Sequence, residues 1–411
     1  MWEAGPGTWC LHQPRDDSAR RHSVAHGGRL LRGTFSSHRI RVQLGNNDAD
    51  IVFLGYVKVS VPDSFPFRYH VFGLAIESER PIVGLEPSAG RETPDVRVHD
   101  GRGPAAPWPE GVWSSPSSYV SPFRDEHGRP RGQAWDLEAG HLRFLTNEDA
   151  EFVLDRQGTQ LWVHAPASSP SEIGEYLIGP IFGLLLRRRG QVCLHASVVC
   201  LNGRAWALLG AEGSGKSTLA AVFAMLGHAV IADDLAALVE CDGALLVPPG
   251  PAYVRARHGA VERAARVLGQ ENVLSSSYDP EFVDLDLALV DRPERYGRAE
   301  RRPMPLGAIY LLDCGDVSPL DAVIEPMPGP DAVMTLLAHS WATRPLGRDS
   351  RRPELDMLTR AASQLPVRRV RVRAHADDAV ALARRIAEDS ARLTATPIGP
   401  VGLLFSDAPL R

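Results

Sequence analysis

Lysine is almost absent from this chain. Only Lys58 and Lys216 are lysines among its 45 basic residues, and all the others are arginines. With a net charge of -5, the chain also lacks the positive excess that is typical of a nucleic-acid-binding surface. The composition therefore predicts no nucleic-acid partner.

Paired cysteines and long apolar runs are absent as well. The five cysteines are scattered and none belongs to a Cys-x-x-Cys pair, which argues against a zinc site and a disulfide framework. No run reaches the ~18 consecutive apolar residues of a membrane span. The N-terminus also lacks the apolar core of a signal peptide. These absences predict a cytoplasmic protein without a membrane partner.

The rest of the composition is that of an ordinary globular protein. Its 411 residues are 44% apolar and 23% charged, and this length suits two or three domains. The segments divide into four regions: a poorly ordered arm (1–45), a small mainly β domain (46–168), an α/β domain (169–393) and a tail without clear signal (394–411).

Short β-rich runs, separated by Pro, Gly and Asp, predict the mainly β domain. A long loop rich in Pro, Gly and Ser is predicted over 100–133. Trp113 and Trp135 are interpreted as core or loop anchors, with a ligand cage as the alternative. For the arm over 1–45, the alternative to poor order is a basic segment that binds a partner. The β-rich runs are 51–61, 69–76, 96–98, 142–145, 151–154 and 160–163.

A glycine-rich segment in the α/β domain fits the phosphate-loop pattern G-x-x-x-x-G-K-[ST]. A short apolar run, 204–209, precedes it and a stretch of helix-forming residues, 216–226, follows it. Backbone N–H groups of such a loop point at phosphates, and the helix adds its positive N-terminal end. The lysine supplies a further positive charge and the serine hydroxyl can bind Mg²⁺. The predicted nucleotide-binding residues are Gly210, Ala211, Glu212, Gly213, Ser214, Gly215, Lys216, Ser217 and Thr218.

A β-hairpin is predicted immediately before this loop. The run 192–201 is strand-like, Asn202-Gly203 favours a type I′ turn, and 204–209 is the returning strand. A two-residue turn places Ser197 opposite Leu208 and His195 opposite Gly210. His195 is therefore predicted beside the phosphates, either with a catalytic role or with only a hydrogen bond to the loop.

Two adjacent aspartates follow the next apolar run. Asp233 and Asp234 come directly after Ala229–Ala232, as carboxylates at the end of a buried strand do in nucleotide-binding sites. One carboxylate can hold Mg²⁺ with Ser217, and the other can accept a proton from an attacking hydroxyl. We predict Asp233 as the metal ligand and both aspartates, with His195 and Lys216, as the catalytic group. Which aspartate is the base remains open at this point.

Other segments complete the α/β domain. A helix is predicted over 171–189 with Gly190 as its C-cap. We interpret Arg187–Arg189 in its last turn as complementing the helix dipole; the alternative is that they contact phosphate or an acidic substrate. The arginine-rich stretch 291–302 is either a mobile arm over the site or a solvated loop. Further predictions are a hairpin with a turn at Asp242-Gly243, strands at 306–313 and 367–372, and helices beginning at 258 and over 331–339, 354–364 and 377–392.

Together these motifs resemble the C-terminal domain of HPr kinase/phosphorylase and its HPr-kinase-like relatives. The block consists of Leu194–Ser197 (LHAS), 201–220 (LNGRAWALLGAEGSGKSTLA) and 227–234 (GHAVIADD), in the order and at the spacing found in that family. The family's later Glu-x-Arg-Gly signature, which is tied to phosphorolysis, is not visible. The resemblance implies an α/β fold of the HPr kinase/phosphoenolpyruvate carboxykinase type, with a mixed β-sheet and flanking helices.

The resemblance also implies an ATP- and Mg²⁺-dependent kinase that acts on a small protein or a precursor peptide and that could form a homo-oligomer. Two rivals remain open: a kinase for a small metabolite with a hydroxyl group, and a regulatory module that binds ATP without transferring phosphate. Specificity for the acceptor is not encoded in any motif of the sequence.

Overall fold

The computed structural model of this chain describes residues 10–12, 21–26, 29–34, 65–90, 92–101, 103, 116–121, 124–137, 140–270, 281–287, 302–315, 322–341, 351–373 and 379–395. The chain divides into two compact units, Met1–Pro66 and Phe67–Arg411. The predicted strand at 51–61, the predicted tail apart from its first two residues and most of the arginine-rich stretch lie outside the described residues, as does Trp113.

The first unit contains a three-stranded antiparallel sheet, with the strands in chain order. These strands fall within residues 1–45, for which the sequence predicts no regular structure. The division of the chain into four regions stays a prediction. The strands are β1 (Cys10–His12), β2 (Arg21–His26) and β3 (Arg29–Thr34).

An eight-stranded mixed sheet begins the second unit. Its order is β4-β5-β6-β11-β10-β9-β8-β7, and only the β5–β6 and β6–β11 pairs are parallel. The predicted run 69–76 is a hairpin that turns at Phe72-Gly73, and the predicted loop 100–133 contains β7 and the first two residues of β8. Trp135 is 7% exposed, in agreement with a core position. The strands are β4 (Phe67–Val71), β5 (Leu74–Ser78), β6 (Val96–Asp100), β7 (Tyr119–Val120), β8 (Gly132–Asp136), β9 (Leu142–Thr146), β10 (Glu151–Leu154) and β11 (Gln160–His164).

Two short helices cover the apolar face of this sheet. The predicted single helix consists of α1 (Pro170–Tyr176), a π-helical turn (Leu177–Ile181) and α2 (Phe182–Arg188). Ser169 and Glu172 form a reciprocal capping box at its start. Pro180 explains the change of pitch, because proline has no N–H for a regular helical bond and a π-turn re-forms the ladder around it.

The three arginines at the end of α2 bind other parts of the chain. Arg187 pairs with Glu354, Arg188 donates to the Gly140 and Asp155 carbonyls, and Arg189 pairs with Asp95. Their position in the last turn agrees with the predicted dipole interaction. The alternative, contact with phosphate or an acidic substrate, stays a prediction.

The second sheet of this unit has nine strands and is also mixed. Its order is β12-β16-β17-β20-β14-β13-β15, and β22 adds to β20 with β21 beyond it. The β14–β20 and β20–β22 pairs are parallel. The strands are β12 (Val192–Leu194), β13 (Ser197–Leu201), β14 (Arg204–Gly210), β15 (Val230–Ala232), β16 (Ala236–Cys241), β17 (Ala244–Val247), β20 (Met304–Gly315), β21 (Val323–Pro326) and β22 (Val367–Arg373).

Helices pack on both faces of the nine-stranded sheet, and a two-stranded ribbon of β18 (Tyr253–Arg257) and β19 (Phe282–Asp286) packs beside it. One apolar cluster joins this sheet to α3, α4 and α7, and another joins its other face to α5 and α6. None of the helices in the described ranges is long and apolar enough to span a membrane. The helices are α3 (Lys216–Met225), α4 (His258–Leu268), α5 (Gly329–Ala338), α6 (Arg351–Gln364) and α7 (Ala379–Ala395).

Candidate functional site

The predicted phosphate loop connects the end of β14 to the start of α3. Gly210 ends the strand, and a Cβ there would lie 2.5 Å from Ser214 Oγ and 2.9 Å from the Leu312 carbonyl oxygen. Gly213 and Gly215 have φ of 77° and 93°, a conformation that favours glycine. Residues 211–213 are exposed. The loop therefore presents its backbone to solvent at the N-terminus of a buried helix.

Lys216 is the first residue of α3, and only 6% of it is exposed. Its Nζ donates hydrogen bonds to the Gly210 and Ala211 carbonyl oxygens, at 2.9 and 3.1 Å. Desolvation lowers the Lys216 pKa, and the charges of Asp234, Asp233 and Glu212 oppose that shift. The ammonium group is thus held under the loop and faces a set of carboxylates.

The hairpin before the loop has the predicted register. Ser197 pairs with Leu208 and Leu201 with Arg204, and Asn202 and Gly203 have φ of 52° and 72°, as a type I′ turn requires. The predicted pairing of His195 with Gly210 is wrong, because the strand is broken after Leu194. The His195 N–H instead donates to the His339 carbonyl oxygen at 2.8 Å.

The His195 side chain nevertheless reaches the predicted site. Its Nε2 lies 3.2 Å from Asp234 Oδ1, and its ring meets the Trp341 ring edge-on with centroids 5.2 Å apart. Desolvation, followed by the charges of Lys216 and His339, lowers the His195 pKa to about 4. The imidazole is therefore neutral at pH 7. The tautomer with its proton on Nε2 would direct that proton towards Asp234 Oδ1.

Asp233 is surrounded by hydrogen-bond donors. Oδ1 accepts from Ser197 Oγ at 2.5 Å and Oδ2 accepts from the Arg255 N–H at 3.2 Å. The Ser217 hydroxyl is a further donor. Desolvation, together with the smaller effect of the neighbouring Asp234 charge, raises the Asp233 pKa to about 6. The hydrogen bonds from Ser197, Ser217 and the Arg255 N–H oppose this rise. This carboxylate is fixed in place on three sides.

Asp234 is held differently. It has a φ of 65°, and the Leu235 N–H donates to the Asp233 carbonyl oxygen at 2.8 Å across it. These features describe a γ-turn of the rare, strained form with positive φ, and such strain is concentrated at functional sites. The Asp234 side chain remains 54% exposed. Desolvation raises its pKa, and the positive charge of Lys216 opposes that rise.

The structure thus brings together five predicted residues: His195, Lys216, Ser217, Asp233 and Asp234. Sequence reasoning did not identify three further contributors to the site, which are Ser197, the Arg255 backbone and Trp341. For Ser197, the strand pairing was predicted but the hydrogen bond to Asp233 was not. The hairpin register could have pointed to Ser197, because Ser197 begins the strand that pairs with β15, and β15 ends directly before Asp233. No local signal marks the other two.

The oxygen atoms at the site suit a hard cation. The Ser217 hydroxyl and the Asp233 carboxylate are in hydrogen-bond contact, and Mg²⁺ prefers one or two such ligands together with water and phosphate oxygens. In the described ranges, no group of three or more His, Cys, Asp or Glu side chains could hold a metal ion alone.

Comparisons with known proteins add little to this geometry. No protein-family model matches the chain, and no curated protein matches it. Among solved structures, the HPr(Ser) kinase/phosphatase from Coxiella burnetii is similar over 49% of this chain and 93% of its own, with 11% identity and a TM-score of 0.27. At that TM-score, the likeness supports no argument about function.

Proposed function

We propose that this protein is an ATP- and Mg²⁺-dependent kinase that phosphorylates a serine or threonine hydroxyl of a small protein or precursor peptide. The proposal rests on one observation. A glycine loop with a buried lysine at its helix N-terminus lies against two aspartates, a neutral histidine and a serine hydroxyl. This arrangement suits phosphate binding, metal binding and proton acceptance in one place.

The donor side of the reaction would be bound by the loop. Exposed backbone N–H groups of 211–213 and the N-terminal end of α3 would bind the phosphates, and Lys216 would stabilise the charge that develops on the transferred group. Ser217 and Asp233 would hold Mg²⁺ from the protein side. The metal would supply charge neutralisation between the phosphates.

Asp234 is our candidate for the general base. Asp233 is engaged by Ser197, Ser217 and the Arg255 N–H, whereas about half of Asp234 is open to an incoming hydroxyl. The acceptor's hydroxyl oxygen would form a bond to the γ-phosphorus while the bond between the γ-phosphorus and the β-phosphate oxygen breaks. The proton of that hydroxyl would pass to Asp234. The His195 Nε2–H would orient Asp234 for that transfer.

Transfer can be tested with purified protein, labelled ATP, Mg²⁺ and candidate acceptors. Label on a peptide or small protein supports the proposal. Label on a metabolite, or nucleotide binding without transfer, would favour one of the two rival functions. Lys216→Ala should abolish binding or turnover, whereas Arg263→Ala, at an exposed position of α4, should not. Unchanged turnover in Lys216→Ala would contradict the site assignment.

The roles of the two aspartates are separable. With Asp233→Asn, turnover should fall and recover in part at high Mg²⁺, because a metal ligand is weakened. With Asp234→Asn, turnover should fall by about 10²–10⁴-fold at any Mg²⁺ concentration, as for loss of a general base. The reverse pattern would exchange the two roles. Self-association and the cytoplasmic location stay predictions.

A further inference from the structure

The segment His339–Trp341 is an added piece of strand at the edge of the nine-stranded sheet. Leu194, the last residue of the edge strand β12, forms an antiparallel bridge with Ser340. On either side of that bridge, the His195 N–H donates to the His339 carbonyl and the Trp341 N–H donates to the Cys193 carbonyl, both at 2.8 Å. The backbone of His195 therefore depends on this segment.

The Trp341 ring lies between His195 and helix α2. On one side it meets the imidazole edge-on, at 5.2 Å between centroids. On the other side it packs so closely on α2 that a Cβ at Gly183 would lie 1.9 Å from Trp341 Nε1. Because neither neighbour leaves space, the ring fixes the distance between the helix and the imidazole.

A buried ion pair and a half-buried hydroxyl hold this segment, and we refer to Arg187, Glu354 and Ser340 together as the buried clamp. Arg187 Nη2 lies 2.7 Å from Glu354 Oε2, and each side chain is 3% exposed. The Ser340 hydroxyl contacts the other Glu354 oxygen and also lies 3.3 Å from the Cys193 carbonyl. A buried ion pair has strong directional requirements, so the clamp leaves one position for the segment.

We propose that Trp341 is a positioning residue for His195 and that the buried clamp holds Trp341 against it. This inference deepens the proposed function, on which its kinetic part rests. An imidazole that lost its aromatic support could rotate away from Asp234, and the candidate base would then lose its 3.2 Å contact with His195 Nε2. The same ring also limits the access of water to the imidazole.

The surroundings of His195 Nε2 can be observed by NMR in the full-length protein with ¹⁵N-labelled histidine, where His195→Gln identifies the signal. Trp341→Ala should remove or shift the His195 Nε2–H signal, whereas Trp341→Phe, which keeps an edge-on ring, should retain it. Gly183→Ala disturbs the ring from the far side and should act like Trp341→Ala. Trp162→Ala is the matched control, because Trp162 stacks on His99, at 5.2 Å, and not on His195.

The kinetic measurement is the rate of phosphoryl transfer from ATP·Mg²⁺, to water if no acceptor is known. In Trp341→Ala, this rate should fall about 10- to 100-fold, as for a small misplacement of a reacting group, with nucleotide affinity unchanged. Ser340→Ala, which loosens the clamp but leaves Arg187 paired, should show a smaller fall. Trp341→Phe should restore most of the rate.

The possible outcomes separate this inference from the proposed function. If wild-type protein neither binds nor consumes ATP, the proposed function fails, and the NMR signal still reports on Trp341. If wild-type protein is active and Trp341→Ala keeps both its rate and its Nε2–H signal, the positioning role is overturned. A fall in rate for Trp341→Phe equal to that for Trp341→Ala would likewise contradict it.

Discussion

Gly210 lies where the last backbone pair of β14 meets the phosphate loop. Its absent side chain lets Ser214 and the β20 backbone approach, with a virtual Cβ 2.5 Å from Ser214 Oγ and 2.9 Å from the Leu312 carbonyl oxygen. Gly210→Ala should therefore destabilise the protein by about 1–3 kcal/mol, as overpacking does, and should weaken nucleotide binding.

Denaturant unfolding and a nucleotide titration measure these two effects. Gly329→Ala is the control, since Gly329 begins helix α5 with no atom within 4 Å of a virtual Cβ. Alanine there should be neutral or stabilising. Equal effects at both positions would contradict the steric explanation.

His195 predicts a pH dependence of stability. Its folded-state pKa is about 4 against an ordinary 6.5, so the unfolded chain binds more protons between those values. The contribution of His195 to stability is therefore complete above about pH 6.5 and decreases as the pH falls towards 4. Urea unfolding at several pH values should show a steeper acid loss in wild type than in His195→Gln. The exposed His127, 68% accessible, serves as the control, and His127→Gln should keep the wild-type slope.

At the scale of elements, α2 and α6 are joined by one buried ion pair. Glu354→Gln would leave Arg187 charged and uncompensated at 3% exposure, which should cost about 3–5 kcal/mol of unfolding free energy. The exposed pair Arg360–Glu240 offers a matched control: Glu240→Gln should cost less than ~1 kcal/mol. Replacing both buried partners, in Arg187→Met with Glu354→Leu, should recover most of the loss. A double variant as unstable as Glu354→Gln would show that unpaired charge is not the cause.

The elements also show where sequence reasoning succeeds. The hairpin register was predictable because Asn202-Gly203 favours a tight turn, and a tight turn fixes the pairs next to it, here from Leu201–Arg204 to Ser197–Leu208. The strand–loop–helix order around Lys216 followed from a local motif with a local mechanism. The position of Asp233 and Asp234 at the end of a buried strand was predictable for the same reason, since four apolar residues precede them directly.

Non-local contacts account for what was missed. The break after Leu194 depends on backbone bonds to His339 and Trp341, which lie far along the chain and carry no matching motif. In the sequence, Arg187 has no feature that distinguishes it from other arginines in a last helical turn. Its partner Glu354 is distant in the chain and is brought beside it only by the fold. The π-helical turn was missed because a proline within an apolar run is compatible with several kinds of helix break.

At the scale of the second unit, the two sheets share one apolar cluster. That cluster includes Phe152 from the eight-stranded sheet, Phe182 from α2 and Leu235 next to the aspartate pair. A backbone bond of 2.6 Å from the Phe72 N–H to the Pro249 carbonyl adds a further link. A ligand at the phosphate loop should therefore stabilise both sheets.

Hydrogen exchange can measure that linkage. At about 100 times its Kd, ATP·Mg²⁺ should raise the unfolding free energy by about 2.7 kcal/mol, with similar gains in β11 and β14. Lys216→Ala should show no gain in either strand. Added protection in β14 alone would mean that the two sheets unfold independently.

The scarcity of lysine has a practical consequence for the buried Lys216. Amine-acylating reagents find only two lysine side chains in this chain, Lys58 and Lys216. The Lys216 amine is shielded, at 6% exposure, and its protons are engaged by two loop carbonyls. Acylation at this position therefore requires the loop to release the amine first. The rate at which a reagent acylates Lys216 therefore measures how often the loop opens. Because Lys58 is the other lysine of the chain, few other acylated lysine products interfere with this measurement.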